Sequence, residues 1–263
     1  MMSIARFDPN PACAGYPRYF KIAGHWVNSY KVFLCVGIYG AILVIAALAQ
    51  SANLSPLPVG IGILICAIAA LFGARVYHLL VFAPVYLRER SWARIWDSTR
   101  GGWSVFGGLP PLVLGSWLLA SLLGIPAAAL WDFIGGGVLF GGFWVRLGCV
   151  FNGCCAGRET ASRLGVRLHD TFGTRKRRIP VQFLEMGWWL AGGIGYLLIW
   201  PRPFPHGTYA LGVVAWYGLG RFWLEPLRER PDLVAGGIRV NQVVAAVLAV
   251  SAGAGLCVLL SGL

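Results

Sequence analysis

The feature that most narrows the possible folds is a recurrence of apolar runs of roughly twenty residues, parted by short stretches holding most of the charge. A hydrocarbon layer about 30 Å thick demands helices of that length, because each residue adds about 1.5 Å. In lipid every backbone amide and carbonyl must be satisfied by the chain itself, and a helix does this within one segment. The chain therefore reads as an all-α, polytopic membrane protein with about seven transmembrane helices. The spans fall at residues 29–50, 57–82, 109–124, 126–150, 181–200, 207–225 and 241–260. Composition agrees, since 57% of residues are hydrophobic and only 12% charged, where soluble domains carry about 25% charged residues. The first 26 residues lack the short apolar core of a cleaved signal peptide and read as an aromatic-rich lead-in to the first span. With no internal repeat and no low-complexity tail, residues 1–263 read as one integral-membrane domain.

Lys and Arg outnumber Asp and Glu by 22 to 10. In a seven-span topology almost all of this excess falls on one face, with Arg202 standing on the other. The positive-inside rule places that basic face in the cytoplasm. "TRKRRIP", residues 174–180, reads as a solvated juxtamembrane loop against anionic headgroups, and a nucleic-acid role is excluded by the membrane setting.

Three arginines, Arg75, Arg146 and Arg221, fall inside or at the edge of spans. Each costs about 2.5–3.5 kcal/mol at a helix centre, so each needs a partner or a watery cavity. In "GRFWLEPLRERPD", Arg221, Glu225 and Arg228 are spaced i, i+4 and i+7, which is one face of a helix. This is either an ion pair that tolerates lipid or an anion clamp in which Glu225 fixes the guanidinium. The guanidinium fork suits phosphate oxygens. Arg146, on another span near the same membrane face, turns the clamp into a pocket for a phospholipid headgroup. Gln182 and Glu185 in "RIPVQFLE" share a face at the start of the fifth span, as helix-start polarity or as part of the same site.

Seven cysteines are present, and Cys35, Cys66 and Cys257 read as small packing residues within spans. Cys149, Cys154 and Cys155 cluster in "RLGCVFNGCCAGR", where Asn152-Gly153 signals a turn. Packing, participation in the site as reactive thiols, and metal binding are all open. A zinc site would want a second Cys or His pair, which the spacing does not supply, although His169 could add one ligand. The reading is no metal and no cofactor.

Four of these segments, taken in order, resemble the prolipoprotein diacylglyceryl transferase family. "RLGCVFNGCCAGR" resembles the family signature, with Arg146, Gly148, Asn152, Gly153 and Gly157 on its positions. "RIPVQFLE" and "YGLGRFWLEPLRERPD" resemble two further segments, and "WVNSYKVFLCVG" a first-span motif whose tyrosine is here Tyr30. The resemblance implies a seven-span enzyme of the bacterial cytoplasmic (inner) membrane that moves the diacylglyceryl group of phosphatidylglycerol to the lipobox cysteine of a prolipoprotein, releasing glycerol phosphate. It implies catalytic roles for Arg146, Arg221, Asn152, Tyr30 and Glu225. Headgroup-binding roles follow for Arg146, Arg221, Gly153, Gly157, Gln182 and Glu185. It also implies an extracytoplasmic active face, against the positive-inside count. The family placement is preferred, because basic residues that bind headgroups serve function as well as topology.

Three positions depart from the family pattern. Phe106 in "SVFGG" stands where the family carries a histidine proposed as base, and Cys149 and Cys154 replace the signature's asparagine and glutamate. These departures leave two other readings open: a paralogue with the same phospholipid site and another acceptor, and a thiol-active lipid-binding protein. His25 and His78 read as interfacial histidines.

Overall fold

The computed structural model describes residues 17–83, 105–170, 174–229, 234–235 and 238–262. Seven α-helices form among them: α1 (Ser29–Ser51), α2 (Pro56–Val81), α3 (Val105–Leu122), α4 (Ala127–Asn152), α5 (Val181–Ile199), α6 (Thr208–Leu224) and α7 (Val240–Ser261). They follow the apolar runs to within two residues at nearly every end. The exception is α3, which begins four residues before the expected start at Leu109 and carries Pro110 and Pro111 inside it. Proline disfavours helix in the residue before it, yet α3 runs through both positions. By length and composition α1, α2, α4 and α7 are each able to cross a membrane. The helices α5 and α6 carry Glu185 and Arg221 and are shorter. The chain is an all-α, multi-pass membrane protein.

The chain divides into two compact units, Met1–Val44 with Ile134–Leu263, and Ile45–Phe133. Within the second unit α2 packs on α3 through small residues. A Cβ on Gly107 would strike Tyr77, and one on Gly108 would come within 2.9 Å of the Ala70 carbonyl oxygen. Small residues allow this approach where lipid offers no hydrophobic drive between helices. Large apolar side chains such as Ile65, Phe72, Leu114 and Trp117 remain exposed on this pair. An apolar surface of that extent suits hydrocarbon rather than water.

In the first unit α1 meets α4 where Gly37 faces Gly141, a Cβ on Gly37 lying 3.2 Å from the Gly141 carbonyl oxygen. The α5–α6 pair is pinned by two indoles. Trp188 Nε1 donates to the Trp216 carbonyl at 2.9 Å, Trp216 Nε1 donates to the Trp188 carbonyl at 3.0 Å, and the rings stack 4.2 Å apart. The same helices hold the site residues in register.

Among the described residues three short antiparallel hairpins flank the helices: β1 (Tyr19–Ile22) with β2 (His25–Asn28), β3 (Val166–His169) with β4 (Arg175–Arg178), and β5 (Val234–Ala235) with β6 (Ile238–Arg239). The described end of the lead-in is thus a hairpin, turned at Ala23-Gly24 with both φ angles positive, as a type I′ turn requires. The stretch read as a solvated basic loop is also a hairpin. Its residues Arg175, Lys176 and Arg177 are exposed, but Arg178 is 1% exposed.

Candidate active site

Arg146 lies in the last two turns of α4, Glu185 in the second turn of α5, and Arg221 in the last turn of α6. Their side chains converge. Arg146 Nε is 3.1 Å from Glu185 Oε2, and Arg221 Nη1 is 3.5 Å from Glu185 Oε1. Arg221 Nη2 reaches Glu225 Oε2 at 3.0 Å across one helical turn. Arg228 brings a third guanidinium, 3.8 Å from Glu185 and 3.9 Å from Glu225. Arg228 is not part of a continuous helical face, as the i, i+4, i+7 spacing suggested. The α-helix ends at Leu224, a 3₁₀ turn covers Glu225–Leu227 because Pro226 cannot continue the ladder, and Arg228 is extended.

All five side chains are largely withdrawn from solvent, from 17% exposed at Arg146 to 0% at Glu225. Burying such charges costs several kcal/mol each unless they are mutually paired. Glu185 is the hub, touched by all three guanidiniums. Arg146, Glu185 and Arg221 also line one cleft, walled by Trp188, Trp189, Tyr217 and Leu224 and floored at Gly220. A Cβ at Gly220 would collide with the Trp188 indole, so glycine there keeps the wall in place. Guanidiniums fixed by carboxylates in this way can take up phosphate oxygens, and the aromatic side chains beside them suit an apolar group.

The turn after α4 is held from both sides. Arg158 N donates to the Leu227 carbonyl at 2.9 Å and Glu229 N to the Ala156 carbonyl at 3.1 Å. On the other side Ile179 N donates to the Arg158 carbonyl at 3.0 Å. Residues 156–160 are therefore stitched between the segments that deliver Arg228 and Gln182. Gly157 sits in this ribbon against the Ile179 carbonyl oxygen, which any Cβ would strike. Gly153, with φ +72°, faces the Asp170 carbonyl oxygen, 2.6 Å from where its Cβ would be. Buried Arg178 ties the ribbon to its surroundings. Its guanidinium lies 2.7 Å from Glu229 and 3.2 Å from Asp170, and it donates to the Gly157 carbonyl at 3.3 Å.

Asn152 ends α4 with its Oδ1 accepting from Asn28 Nδ2 at 3.4 Å, and its carbonyl accepting from Arg18 at 3.0 Å. Tyr30 packs on Gly148, whose Cβ would lie 3.4 Å from the Tyr30 Cα. Gln182, 1% exposed, donates to the Cys154 carbonyl at 3.1 Å. Cys149, Cys154 and Cys155 come together, all three Sγ atoms lying within 4.8 Å of one another. Arg146 Nη1 is 4.0 Å from Cys149 Sγ. Donation from Cys149 and Cys154, aided by Arg228 and Arg146, holds the Cys155 thiol well below the ordinary range. The donation from Cys149 lowers Cys154 too, but its bond to Cys155 and its burial outweigh this and push it up to about 11.

The structure thus brings together Arg146, Arg221, Glu185 and Glu225, with Gln182, Asn152, Tyr30 and the three thiols around them in the same unit. Arg178 and Asn28 were not singled out as site residues from sequence, whereas Arg228 was placed on the Arg221–Glu225 face. Arg178 carried a signal, since its segment also supplies Glu185. Cys66 is buried against Gly115, as a packing residue should be, whereas Cys35 and Cys257 are exposed. Cys13 lies outside the described residues, and Phe106 is described only as the second residue of α3. His25 is exposed on β2 and Arg75 is buried on α2.

A family model described as prolipoprotein diacylglyceryl transferase matches residues 17–259. A Streptomyces avermitilis protein named phosphatidylglycerol–prolipoprotein diacylglyceryl transferase is 33% identical over 180 residues, 65% of this chain and 52% of its own length. Proteins of the same name from Cutibacterium acnes and Mycobacterium tuberculosis are each 31% identical. The first aligns over 69% of this chain and 64% of its own length, the second over 65% and 41%. The chain spans about half the length of these relatives.

Proposed function

Because the chain belongs to the prolipoprotein diacylglyceryl transferase family, we propose that it transfers the diacylglyceryl group of phosphatidylglycerol to the lipobox cysteine of a prolipoprotein. The observation that carries this reading is the convergence of Arg146, Arg221 and Arg228 on Glu185 and Glu225 beside an aromatic cleft. The acceptor sulfur attacks the glycerol carbon that bears the phosphate, so a C–S bond forms as the C–O bond breaks. Glycerol phosphate leaves with the bonding pair, and the thiol proton balances as a proton on the departing phosphate or in solvent. Negative charge on the leaving phosphate grows through the transition state. Guanidiniums already fixed by buried carboxylates meet that charge without reorganising, and removing one such donor costs about 10²–10³ in rate. Arg146 and Arg221, which line the cleft, take this role. Glu185 and Glu225 hold them, and Tyr30, Asn152, Gln182, Gly153 and Gly157 shape the headgroup end. Trp188, Trp189 and Leu224 offer the acyl chains an apolar wall.

In this reading the chain has seven spans, forms one domain over residues 1–263 and lies in the bacterial inner membrane. Its partners are phosphatidylglycerol, surrounding membrane lipids and a lipobox-containing prolipoprotein met on the extracytoplasmic face. A second reading keeps the same donor with another acceptor, and it is favoured by Phe106, which cannot take a proton where the family carries histidine. One assay tests both. Purified protein receives phosphatidylglycerol and a synthetic lipobox peptide, with Arg146→Ala as control, and mass spectrometry follows the peptide. A thioether-linked diacylglyceryl adduct that the variant does not form supports the first reading. Glycerol phosphate release without a peptide adduct supports the second. Neither product from folded protein overturns both.

A further inference from the structure

We propose that Cys149, Cys154 and Cys155 form a three-thiolate binding site for one soft, closed-shell cation, Cu(I) or Zn(II), next to Arg146 at the end of α4. Sequence spacing speaks against a metal because a vicinal Cys-Cys pair has no second pair to match it. Folding supplies the missing ligand from the end of α4, where Cys149 faces the turn that carries the other two. All three sulfurs already lie within 4.8 Å of one another. Sulfurs bound to one metal at about 2.3 Å sit roughly 3.8–4.0 Å apart, so side-chain adjustments of less than about 1 Å complete the site.

The backbone points the same way. Adjacent residues of an extended chain direct their side chains to opposite faces, which keeps vicinal thiols apart. Cys155 instead adopts φ +59°, a left-handed conformation that glycine takes freely and other residues take at a cost of about 1–3 kcal/mol. The bend lets Cys154 and Cys155 turn toward the same point. Among the described residues no His, Asp or Glu atom joins the group, and His169 directs Nε2 toward the Phe151 carbonyl at 3.4 Å. Three sulfurs without a fourth protein ligand suit trigonal Cu(I), or Zn(II) completed by water. The nearby Arg146 guanidinium offsets the charge that three thiolates bring. On binding, whatever S–H protons the three cysteines still carry pass to solvent as three metal–sulfur bonds form, with no change of oxidation state.

The site goes beyond the transferase reading and its test does not use turnover. Reduced protein in detergent is loaded separately with Cu(I) and Zn(II), desalted and analysed for metal, beside a Cys149→Ser/Cys154→Ser/Cys155→Ser variant. The expected result is one more equivalent of at least one cation retained by the unsubstituted protein. X-ray absorption should then give three sulfurs for Cu(I), or three sulfurs and one lighter atom for Zn(II). Equal retention, or coordination dominated by nitrogen and oxygen, overturns the proposal. Because the triple variant is liable to misfold, alkylation of the unsubstituted protein gives an independent readout, mapped by peptide mass spectrometry. Saturating metal should protect Cys149, Cys154 and Cys155 while Cys35 and Cys257 react as before. Unprotected site thiols overturn the proposal equally.

Discussion

A guanidinium in a membrane helix is expensive, and the two placed in the cleft are held by a glutamate that both share. The planar fork, rather than the charge alone, is what a phosphate with two free oxygens can use. Arg146→Lys and Arg221→Lys keep the charge but lose the fork and the grip of Glu185. Each is expected to lower kcat/KM for phosphatidylglycerol by about 10²-fold, close to the alanine variant, because the lysine cannot reproduce both contacts. Steady-state adduct formation at several lipid concentrations measures this, and near-normal turnover in both lysine variants would leave the clamp without a role. The same expense made these residues legible in the sequence: Arg146, Arg221, Glu185 and Glu225 stand out because charge in an apolar run needs a reason. Arg178 was not legible in that way. It lies beside the exposed Arg175, Lys176 and Arg177, and only the tertiary ribbon leaves it 1% exposed.

At the scale of elements, the site depends on a ribbon rather than on helices alone. Residues 156–160 bond to the segment after α6 on one side and to the segment before α5 on the other, so three helix ends are fixed together. Gly157→Ala would drive a methyl group into the Ile179 carbonyl and must open that ribbon. A loss of about 2 kcal/mol or more is expected, with a larger loss of transfer activity than of helix content. Thermal unfolding in detergent and the adduct assay, run side by side, check this. The helices were legible because hydrophobic run length sets them directly. The hairpins were not, since each is two to four residues per strand and depends on a local turn such as Ala23-Gly24. The convergence of Cys149 with Cys154 and Cys155 was hidden for a related reason: it arises from a left-handed bend at a residue whose type gives no sign of it.

For the whole molecule, charge and chemistry disagree about orientation. The exposed Arg175, Lys176 and Arg177 of the β3–β4 hairpin would be cytoplasmic by the positive-inside rule. A site that meets a secreted acceptor puts them outside. Arg177→Cys is expected to gain label from a membrane-impermeant maleimide applied to intact cells, over the label taken by the parent protein. Gain only after the cells are opened would place the hairpin inside and contradict the extracytoplasmic acceptor. The central claim is that lipid phosphate rests on the Arg146–Glu185–Arg221 cluster, and a distance measurement tests it most directly. Solid-state NMR dephasing between phosphatidylglycerol phosphorus and ¹⁵N-labelled arginine side chains reads that contact in bilayers. The account predicts dephasing from guanidinium nitrogens in hydrogen-bonding range of the phosphorus, largely lost in the Arg146→Lys/Arg221→Lys double variant. Dephasing that is absent, or unchanged in the double variant, would contradict it.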